Sequence, residues 1–305
     1  MQLATASLGG DRTRAVLLDQ RRGAAFADDL LDGSFADAHE VLTRHLPDQL
    51  AQRLAAAPDA VFRPLVDVPL TAPYRRPRLI WGIGLNYREH AADLSETAPA
   101  EEPASFIKGD HTVIGPGEPI PLPWQSRRVT AEAELGLVIG RECRNVPESE
   151  AWDHVWGVVP VLDQTAEDIL ARNPRYLTRS KNFPGFFSFG PAITPTAEVF
   201  GRFGDVGRVE VATVCNGRVH RSNAVAAMMF SPAQLVSFHS QVMPLHPGDI
   251  ISTGTPGAVQ IQPGDLAECR IAGIGDLSNP VVAGGPEPVD GGAGAGGLAP
   301  GSRAE

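Results

Sequence analysis

Two glutamates with strand-like spacing are the densest chemistry in the sequence. The segment VTAEAELGLVIG places Glu132 and Glu134 two residues apart, and on a strand such side chains point to the same face, about 6–7 Å apart. A solvated edge strand also carries such pairs, but the apolar LGLVIG that follows predicts burial, where two like charges require a cation. Asp163, which ends the apolar run VWGVVPVLD, supplies a third oxygen ligand suited to Mg²⁺, Mn²⁺ or Ca²⁺.

A second candidate group lies in the segment GIGLNYREHAAD, which contains Asn86, His90 and Asp93. His90 and Asp93 are three residues apart, so on a helix they share one face, where the acid can orient the imidazole as a general base. Asn86 precedes them in a glycine-containing turn and offers an amide. The spacing alone is not specific, because a histidine beside an acid on a helix is often a surface pair.

Two lysines and one turn could hold an anion. Lys108 and Lys181 are the only lysines among 26 basic residues, which indicates sites where a compact ammonium serves and the planar guanidinium does not. In the turn STGTPG, Gly254 and Thr255 offer backbone N–H groups and a hydroxyl that suit a carboxylate or enolate oxygen. A plain tight turn has the same composition.

The elements that must position these residues can be predicted from periodicity. ATASLG and RAVLLD flank GGDRT like a hairpin, and residues 29–57 then show apolar residues at helical spacing. Residues 1–75 are therefore predicted to form a small α+β domain. After a Pro/Arg-rich connection at 69–78, short apolar strands dominate residues 76–283, which predicts a β-rich α+β main domain.

Two local signals lie in the last third of the chain. Asn216-Gly217 lies between VEVATVC and RVHRS and is the dipeptide that a type I′ hairpin turn prefers, because both central residues need positive φ. Residues 284–305 are rich in Gly, Pro and Ala and offer almost nothing to a core. We expect them to form a disordered tail.

Composition excludes several classes of function. Asp and Glu number 36 against 26 Lys and Arg, so the net charge of -10 argues against general binding to nucleic acid or to an anionic membrane. Three widely spaced cysteines fit neither a disulfide framework nor a zinc site. Neither a signal peptide nor a long apolar span is recognisable. We therefore expect a cytoplasmic protein.

The motifs, taken in order, resemble the fumarylacetoacetate hydrolase superfamily. The resemblance covers residues 79–282 and depends on nine segments in this order: GLNYREH, FIKG, VIGPGEPIPLP, EAELGLVIG, VLDQTAED, SKNF, FFSFGP, CNGR and LHPGDIISTGTPGAV. The resemblance implies a rolled mixed β-sheet around the site, a smaller N-terminal domain and a homodimer. It also implies chemistry on small 2-oxo acids or diketones, by C–C cleavage, decarboxylation, tautomerisation or isomerisation.

The resemblance assigns roles to individual residues. The family's metal carboxylates fall on Glu132, Glu134 and Asp163, the same three that strand geometry proposes. A divalent cation is implied, Mg²⁺ in the first place, with Mn²⁺ or Ca²⁺ as alternatives. The remaining family positions imply His90, Asp93 and Lys181 as catalytic residues and Lys108, Thr255, Gly254 and Asn86 as substrate-binding residues.

Some positions depart from the family pattern. Asp93 replaces a glutamate, Glu167 and Leu170 stand where an arginine and a glutamine often meet the substrate, and Pro184 replaces an aspartate. A second carboxylate on the substrate would then lack the arginine and glutamine side chains that often bind it. The run of four phenylalanines around Pro184 indicates either a more hydrophobic substrate or simple core packing, these being Phe183, Phe186, Phe187 and Phe189.

The sequence thus predicts a metal-dependent hydrolase that cleaves a C–C bond in an acylpyruvate or 1,3-diketone through an enolate. A decarboxylase, tautomerase or isomerase using the same site is the alternative within the enzyme class. A degenerate member retained as a binding protein is the alternative outside it.

Overall fold

The computed structural model describes residues 1–89 and 101–285. His90 and Asp93 lie outside the described residues, as do residues 286–305 of the tail predicted at 284–305.

The strands of the described chain fall into an N-terminal and a main group. The first group comprises β1 (Gln2–Ser7), β2 (Thr13–Asp19), β3 (Gly23–Phe26) and β4 (Leu70–Thr71). The main group comprises β5 (Ile80–Gly84), β6 (Ala104–Lys108), β7 (Val113–Ile114), β8 (Ile120–Leu122), β9 (Val129–Ile139), β10 (Val155–Ala166), β11 (Phe187–Phe189), β12 (Ala192–Pro195), β13 (Glu210–Cys215), β14 (Arg218–Ala224), β15 (Ile250–Ser252), β16 (Ala258–Ile261), β17 (Leu266–Ile271) and β18 (Gly275–Ala283).

The α-helices whose full extent lies within the described residues are short and lie between these strands. They are α1 (Ala38–Leu42), α2 (Pro47–Ala56), α3 (Ala151–His154), α4 (Glu167–Arg172), α5 (Leu177–Lys181), α6 (Thr196–Phe203) and α7 (Pro232–Val242). Among the helices that the structure describes, none combines the length and apolar content that a bilayer crossing requires.

The strands form two mixed sheets, which confirms the predicted β-rich α+β class. The 13-stranded sheet contains the path β3-β2-β1-β12-β10-β9-β15-β5-β6, with β4, β7, β11 and β16 attached beside it. The 5-stranded sheet has the order β14-β13-β17-β18-β8. Most pairs are antiparallel, whereas β15 with β5, β11 with β7 and β18 with β8 are parallel.

The N-terminal segment folds largely as its periodicity predicts. β1 and β2 form the predicted hairpin, with Gln2 opposite Leu18 and Ser7 opposite Thr13. The single helical region predicted at 29–57 is divided into α1 and α2. Asp37 caps α1 by accepting a hydrogen bond from the Glu40 N–H at 3.1 Å, and a proline begins α2, as is common for a first helical residue.

The N-terminal strands do not form a separate sheet. β1 pairs with β12 through Leu3 and Ile193, so β1, β2 and β3 extend the main sheet by three strands. A hydrophobic cluster joins the two parts, because Leu17 and Leu50 pack with Val159 and other main-sheet residues. The first 75 residues and the strands that carry the candidate site therefore share one core.

The Asn216-Gly217 turn is confirmed as a tight hairpin. It connects β13 and β14, which pair antiparallel, and Asn216 and Gly217 have φ values of 52° and 75°. Both residues thus adopt the left-handed conformation that the type I′ turn requires.

The centre of the larger sheet is the antiparallel pair β9 and β10. Every residue of both strands is buried, and hydrophobic clusters cover the two faces of the pair. In this register Asp163 lies opposite Glu132, and Val161 lies opposite Glu134. Residues directly opposite each other project from the same face, so three carboxylates meet inside the protein.

Candidate active site

The three predicted carboxylates form one compact cluster. One ligand oxygen from each of Glu132, Glu134 and Asp163 lies within 4.8 Å of the others. Their exposed fractions are 7%, 1% and 0%. The cluster arises because two residues alternate on β9 and the third is opposite on β10, as strand geometry requires.

Both lysines of the chain end at this cluster. The Lys181 ammonium, at the end of α5, donates to Glu132 Oε2 at 3.0 Å and to Asp163 Oδ2 at 2.7 Å. The Lys108 ammonium, at the end of β6, donates to Asp163 Oδ1 and to the backbone carbonyl of Lys181. Lys108 therefore holds both a carboxylate and the chain segment that carries the second ammonium.

Glu134 and Glu132 are oriented by neighbouring donors. Glu134 Oε2 accepts hydrogen bonds from Ser252 Oγ at 2.6 Å and from the Gly254 N–H at 2.8 Å. Glu132 Oε1 accepts a hydrogen bond from the Thr165 hydroxyl. The fixed orientation of the carboxylates is what a metal site needs from the groups around its ligands.

The electrostatics of the cluster favour a further positive charge. Burial and the charge of Asp163 raise the pKa of Glu134 to about 8. Burial lowers the pKa of Lys181, but the charges of Asp163, Glu132 and Glu134 outweigh it and raise that pKa above its ordinary value. Three carboxylates thus face two ammonium groups. When all three carboxylates are ionised, their oxygen donors and the one negative charge in excess fit a hard divalent cation.

The turn after β15 brings Gly254 to the cluster. Gly254 has a φ of 95°, and a Cβ there would lie 2.8 Å from the Asn86 Cβ, so this position needs glycine. Thr255 is buried beside it, and its hydroxyl bonds within the turn, accepting from the Gly257 N–H at 3.2 Å. The Thr255 hydroxyl is also 3.4 Å from the Thr213 hydroxyl.

Asn86 contacts backbone groups on two sides of this turn. Its Nδ2 donates to the Thr253 carbonyl at 2.8 Å and to the Phe230 carbonyl at 3.0 Å, and its Oδ1 accepts from the Phe230 N–H at 2.9 Å. These bonds fix the Gly254 turn against β5. In the structure Asn86 is therefore a positioning residue for the turn, while substrate contact stays a prediction.

Tyr87 follows Asn86 near the end of the first described range, residues 1–89. Tyr87 is fully buried, and burial together with the charge of Glu134 raises its pKa above the ordinary value. The segment that precedes His90 and Asp93 therefore begins beside the carboxylate cluster.

The phenylalanine run is core. Phe186, Phe187 and Phe189 are fully buried within the two hydrophobic clusters. Phe183 is half-buried, and its ring centroid lies 5.2 Å from that of Phe186. Of the two interpretations that the sequence left open, packing is the one the structure supports, so these rings give no reason to expect a hydrophobic substrate.

Sequence reasoning missed polar residues that extend this site. Ser252 and Thr165 orient the carboxylates, and Arg128 forms an ion pair with Glu167, Nε to Oε2, at 2.6 Å. The missed signal is the continuation of the β9 alternation toward the N-terminus, since Arg128 is two positions before Thr130, which is two before Glu132.

Comparisons with known proteins place this geometry in a family. Residues 79–282 match the family model described as fumarylacetoacetate (FAA) hydrolase C-terminal. A mitochondrial oxaloacetate tautomerase of Xenopus laevis is 33% identical over 225 residues, which are 71% of this chain and 69% of that relative. The chain belongs to the fumarylacetoacetate hydrolase family.

Two solved structures show the same fold along nearly the whole chain. A 5-carboxymethyl-2-hydroxymuconate delta-isomerase from Mycobacterium smegmatis has 30% identity and a TM-score of 0.73, covering 94% of this chain and 100% of that one. Maleylpyruvate hydrolase from Sphingobium sp. SYK-6, in complex with manganese(II) and pyruvate, has 26% identity and a TM-score of 0.77, covering 93% and 100%. Similar chains are thus hydrolases, isomerases and tautomerases.

Proposed function

We propose that this chain is a divalent-metal-dependent hydrolase that cleaves a C–C bond of an acylpyruvate or related 1,3-dicarbonyl acid through an enolate. The observation that carries the proposal is the buried cluster of Glu132, Glu134 and Asp163 with two ammonium groups against it. A buried concentration of opposite charges around hard oxygen donors is costly unless it serves a charged ligand.

Glu132, Glu134 and Asp163 would hold the cation, with Mg²⁺ our first expectation and Mn²⁺ or Ca²⁺ as alternatives. When bound, a divalent cation supplies a Lewis acid that polarises a carbonyl and stabilises negative charge on oxygen. A relative in complex with manganese(II) and pyruvate supports this choice of cofactor class and a 2-oxo acid ligand.

The chain's own groups then have distinct tasks. Lys181, fixed between Glu132 and Asp163, provides positive charge to an anionic substrate and to the enolate. Lys108 holds Asp163 and the backbone at Lys181 in place. The turn at Gly254 keeps Glu134 aligned through its N–H.

His90 and Asp93 complete the proposed hydrolysis on the strength of the family motif. His90, oriented by Asp93, accepts a proton from water, and the resulting hydroxide adds to the carbonyl remote from the carboxylate. The C–C bond breaks to give a carboxylic acid and the enolate of pyruvate. The enolate carbon then takes up a proton, which balances the reaction as the addition of one water.

Tautomerisation or isomerisation is the second candidate function. It uses the same charge stabilisation but requires no attacking water, and the similarity to an oxaloacetate tautomerase and to a muconate isomerase favours it. Decarboxylation of a 2-oxo acid is a further reaction of this kind, because it also needs no attacking water. The non-enzymatic alternative is a protein that binds the ligand without turnover.

One set of assays separates these functions. Protein loaded with Mg²⁺ or Mn²⁺ should convert acetylpyruvate to acetate and pyruvate, and His90→Ala should abolish this reaction while calorimetry shows unchanged metal binding. Asp93→Glu, which restores the longer family side chain, should preserve or raise it. Turnover of oxaloacetate alone would support the second candidate, and intact metal binding without any turnover would support a binding protein.

We also propose a cytoplasmic homodimer, on the grounds of the family resemblance, the acidic composition and the three unpaired cysteines. Light scattering of the purified protein tests the dimer, and a monomer at micromolar concentration would refute it.

A further inference from the structure

A ladder of polar residues runs outward from the carboxylate cluster along the same face of β9 and β10. Glu132 lies opposite Asp163, and the next rung on that face is Thr130 opposite Thr165. The register continues beyond the strands, because the Glu167 N–H donates to the Arg128 carbonyl at 2.8 Å. The third rung is therefore Arg128 with Glu167.

The rungs are spaced so that they can meet different parts of one extended ligand. Residues two apart on a strand are separated by about 6–7 Å. The neighbouring strand β16 adds Gln260 to the second rung, since it lies opposite Thr130, and Gln260 is exposed. The face thus changes from a buried acidic end, through hydroxyls and an amide, to a basic outer end.

The outer rung is built to present a guanidinium. Glu167 has only 12% of its side chain exposed, whereas Arg128, paired with it at 2.6 Å, has 59% exposed. The Thr130 hydroxyl donates to Glu132 Oε1 at 3.5 Å, which connects the second rung to the cluster. Glu167 is a fixed anchor, and Arg128 is the group that remains accessible.

We propose that Arg128, oriented by Glu167, binds a carboxylate at the far end of the substrate, so that the substrate is a 2-oxo acid with a second, distal carboxylate. This inference rests on the proposed function, in which the 2-oxo end is held at the cluster. Arginine matches a carboxylate with paired N–H donors. Glu167 is a positioning residue.

The proposal reverses an expectation from the sequence. The glutamate at position 167 stands where relatives often have an arginine, which suggested that a second carboxylate had lost its clamp. In the structure this glutamate pairs with Arg128, the residue that precedes β9. The positive charge is retained on the same wall of the site, but a different element supplies it.

Matched ligands test the proposal with and without turnover. Succinylpyruvate and butyrylpyruvate differ only in a terminal carboxylate against a methyl group, and so do the uncleaved pair 2-oxoheptanedioate and 2-oxoheptanoate. Binding of the uncleaved pair by calorimetry, and kcat/KM for the cleaved pair, are measured for the parent, Arg128→Gln, Glu167→Gln and the control Arg127→Gln. Arg127 is an exposed neighbour of equal charge whose backbone N–H, at 3.0 Å from Asp168 Oδ2, does not depend on its side chain.

We expect the parent to prefer the dicarboxylate of each pair, and Arg128→Gln to weaken only the dicarboxylate by about tenfold, the scale of one charge-assisted contact at a partly exposed site. Glu167→Gln should do the same to a smaller extent, and Arg127→Gln should change neither ligand. An equal effect of Arg128→Gln on both members of a pair would overturn the inference.

The uncleaved pair keeps the inference separate from the proposed function. If neither acylpyruvate is cleaved but 2-oxoheptanedioate binds in an Arg128-dependent manner, hydrolysis is wrong and the carboxylate site stands. If both acylpyruvates are cleaved with no preference and no effect of Arg128→Gln, hydrolysis stands and the carboxylate site is wrong.

Discussion

Glu134 has an ionisation that burial and the neighbouring charges of the candidate site perturb strongly. Its pKa of about 8 arises from burial and from the neighbouring Asp163 carboxylate. Between its ordinary value near 4.5 and about 8, the folded metal-free protein binds more protons than the unfolded chain. The free energy of unfolding should therefore fall as pH rises through that window.

Metal binding should reverse this effect, because a cation binds the ionised carboxylate. We expect proton release when Mg²⁺ or Mn²⁺ binds near pH 7, measured by calorimetry in buffers of different ionisation enthalpy. Glu134→Gln should lose the proton release and weaken affinity by on the order of 10²-fold or more, since even residues around metal ligands cost that much. Unchanged affinity in Glu134→Gln would place the metal elsewhere.

Lys181 is predicted to matter for both catalysis and stability. Lys181→Met should reduce kcat/KM by on the order of 10²-fold or more, the effect of removing one preorganised donor. It also removes from the buried carboxylates an ammonium that Glu132 and Asp163 contact at 3.0 and 2.7 Å, so the metal-free variant should be destabilised by about 3–5 kcal/mol. Added metal should restore most of its melting temperature, and a variant with unchanged kcat/KM would exclude Lys181 from the site.

At the scale of elements, the turn after β15 transmits the fold to the site. Its Gly254 donates an N–H to Glu134 at 2.8 Å, and Asn86 fixes the same turn through the Thr253 carbonyl at 2.8 Å. A shift of this turn would therefore move a metal ligand. Because the turn follows directly on a buried strand, it has little freedom to adjust.

Gly254→Ala should destabilise the protein more than the matched change Gly264→Ala. Both glycines have positive φ, 95° and 98°, so both variants bear a conformational cost of about 1–2 kcal/mol. A Cβ at Gly254 also meets Asn86 Cβ at 2.8 Å and the Ile83 carbonyl oxygen at 3.1 Å, whereas at Gly264 nothing described lies within 4 Å. Denaturant unfolding and metal titration measure the difference between the two variants. Equal losses of unfolding free energy and of metal affinity would show that the turn can move to accommodate the added methyl group.

At the scale of the whole molecule, the N-terminal segment and the main sheet share a hydrophobic cluster, from which we predict that they fold as one unit. Leu3, Leu17 and Leu50 are fully buried in a cluster with main-sheet residues, and each is worth about 1.5–3 kcal/mol of burial. The Tyr74 hydroxyl also donates to the Gly248 carbonyl at 3.0 Å. The sum is comparable with the net stability of a typical protein, about 5–15 kcal/mol.

A chain that begins at residue 76 should therefore fail to unfold cooperatively and should lose metal binding. Removal of residues 286–305, which the composition predicts to pack against nothing, is the control and should leave the melting temperature and activity unchanged. Circular dichroism and calorimetry follow both truncations. A stable, metal-binding chain from residue 76 would show that the main domain is independent.

The sequence by itself determined the features that depend on local rules. The period of two along a strand placed Glu132 and Glu134 on one face, the need for positive φ marked Asn216-Gly217 as a turn, and alternation around GGDRT gave the first hairpin. The order of motifs along the chain gave the family. Each of these features is set by residues close together in sequence, so no knowledge of packing is needed.

The tertiary structure alone decided which distant residues meet. Lys181 lies between Glu132 and Asp163 because α5 and the β9–β10 register bring together segments that are 18 to 49 positions apart. Glu167 pairs with Arg128 because the register of β9 and β10 continues to the residue before β9 and to the first residue of α4. The aromatic run turned out to be core for the same reason, since burial depends on what covers a side chain. Such contacts follow from register and packing, which local spacing does not encode.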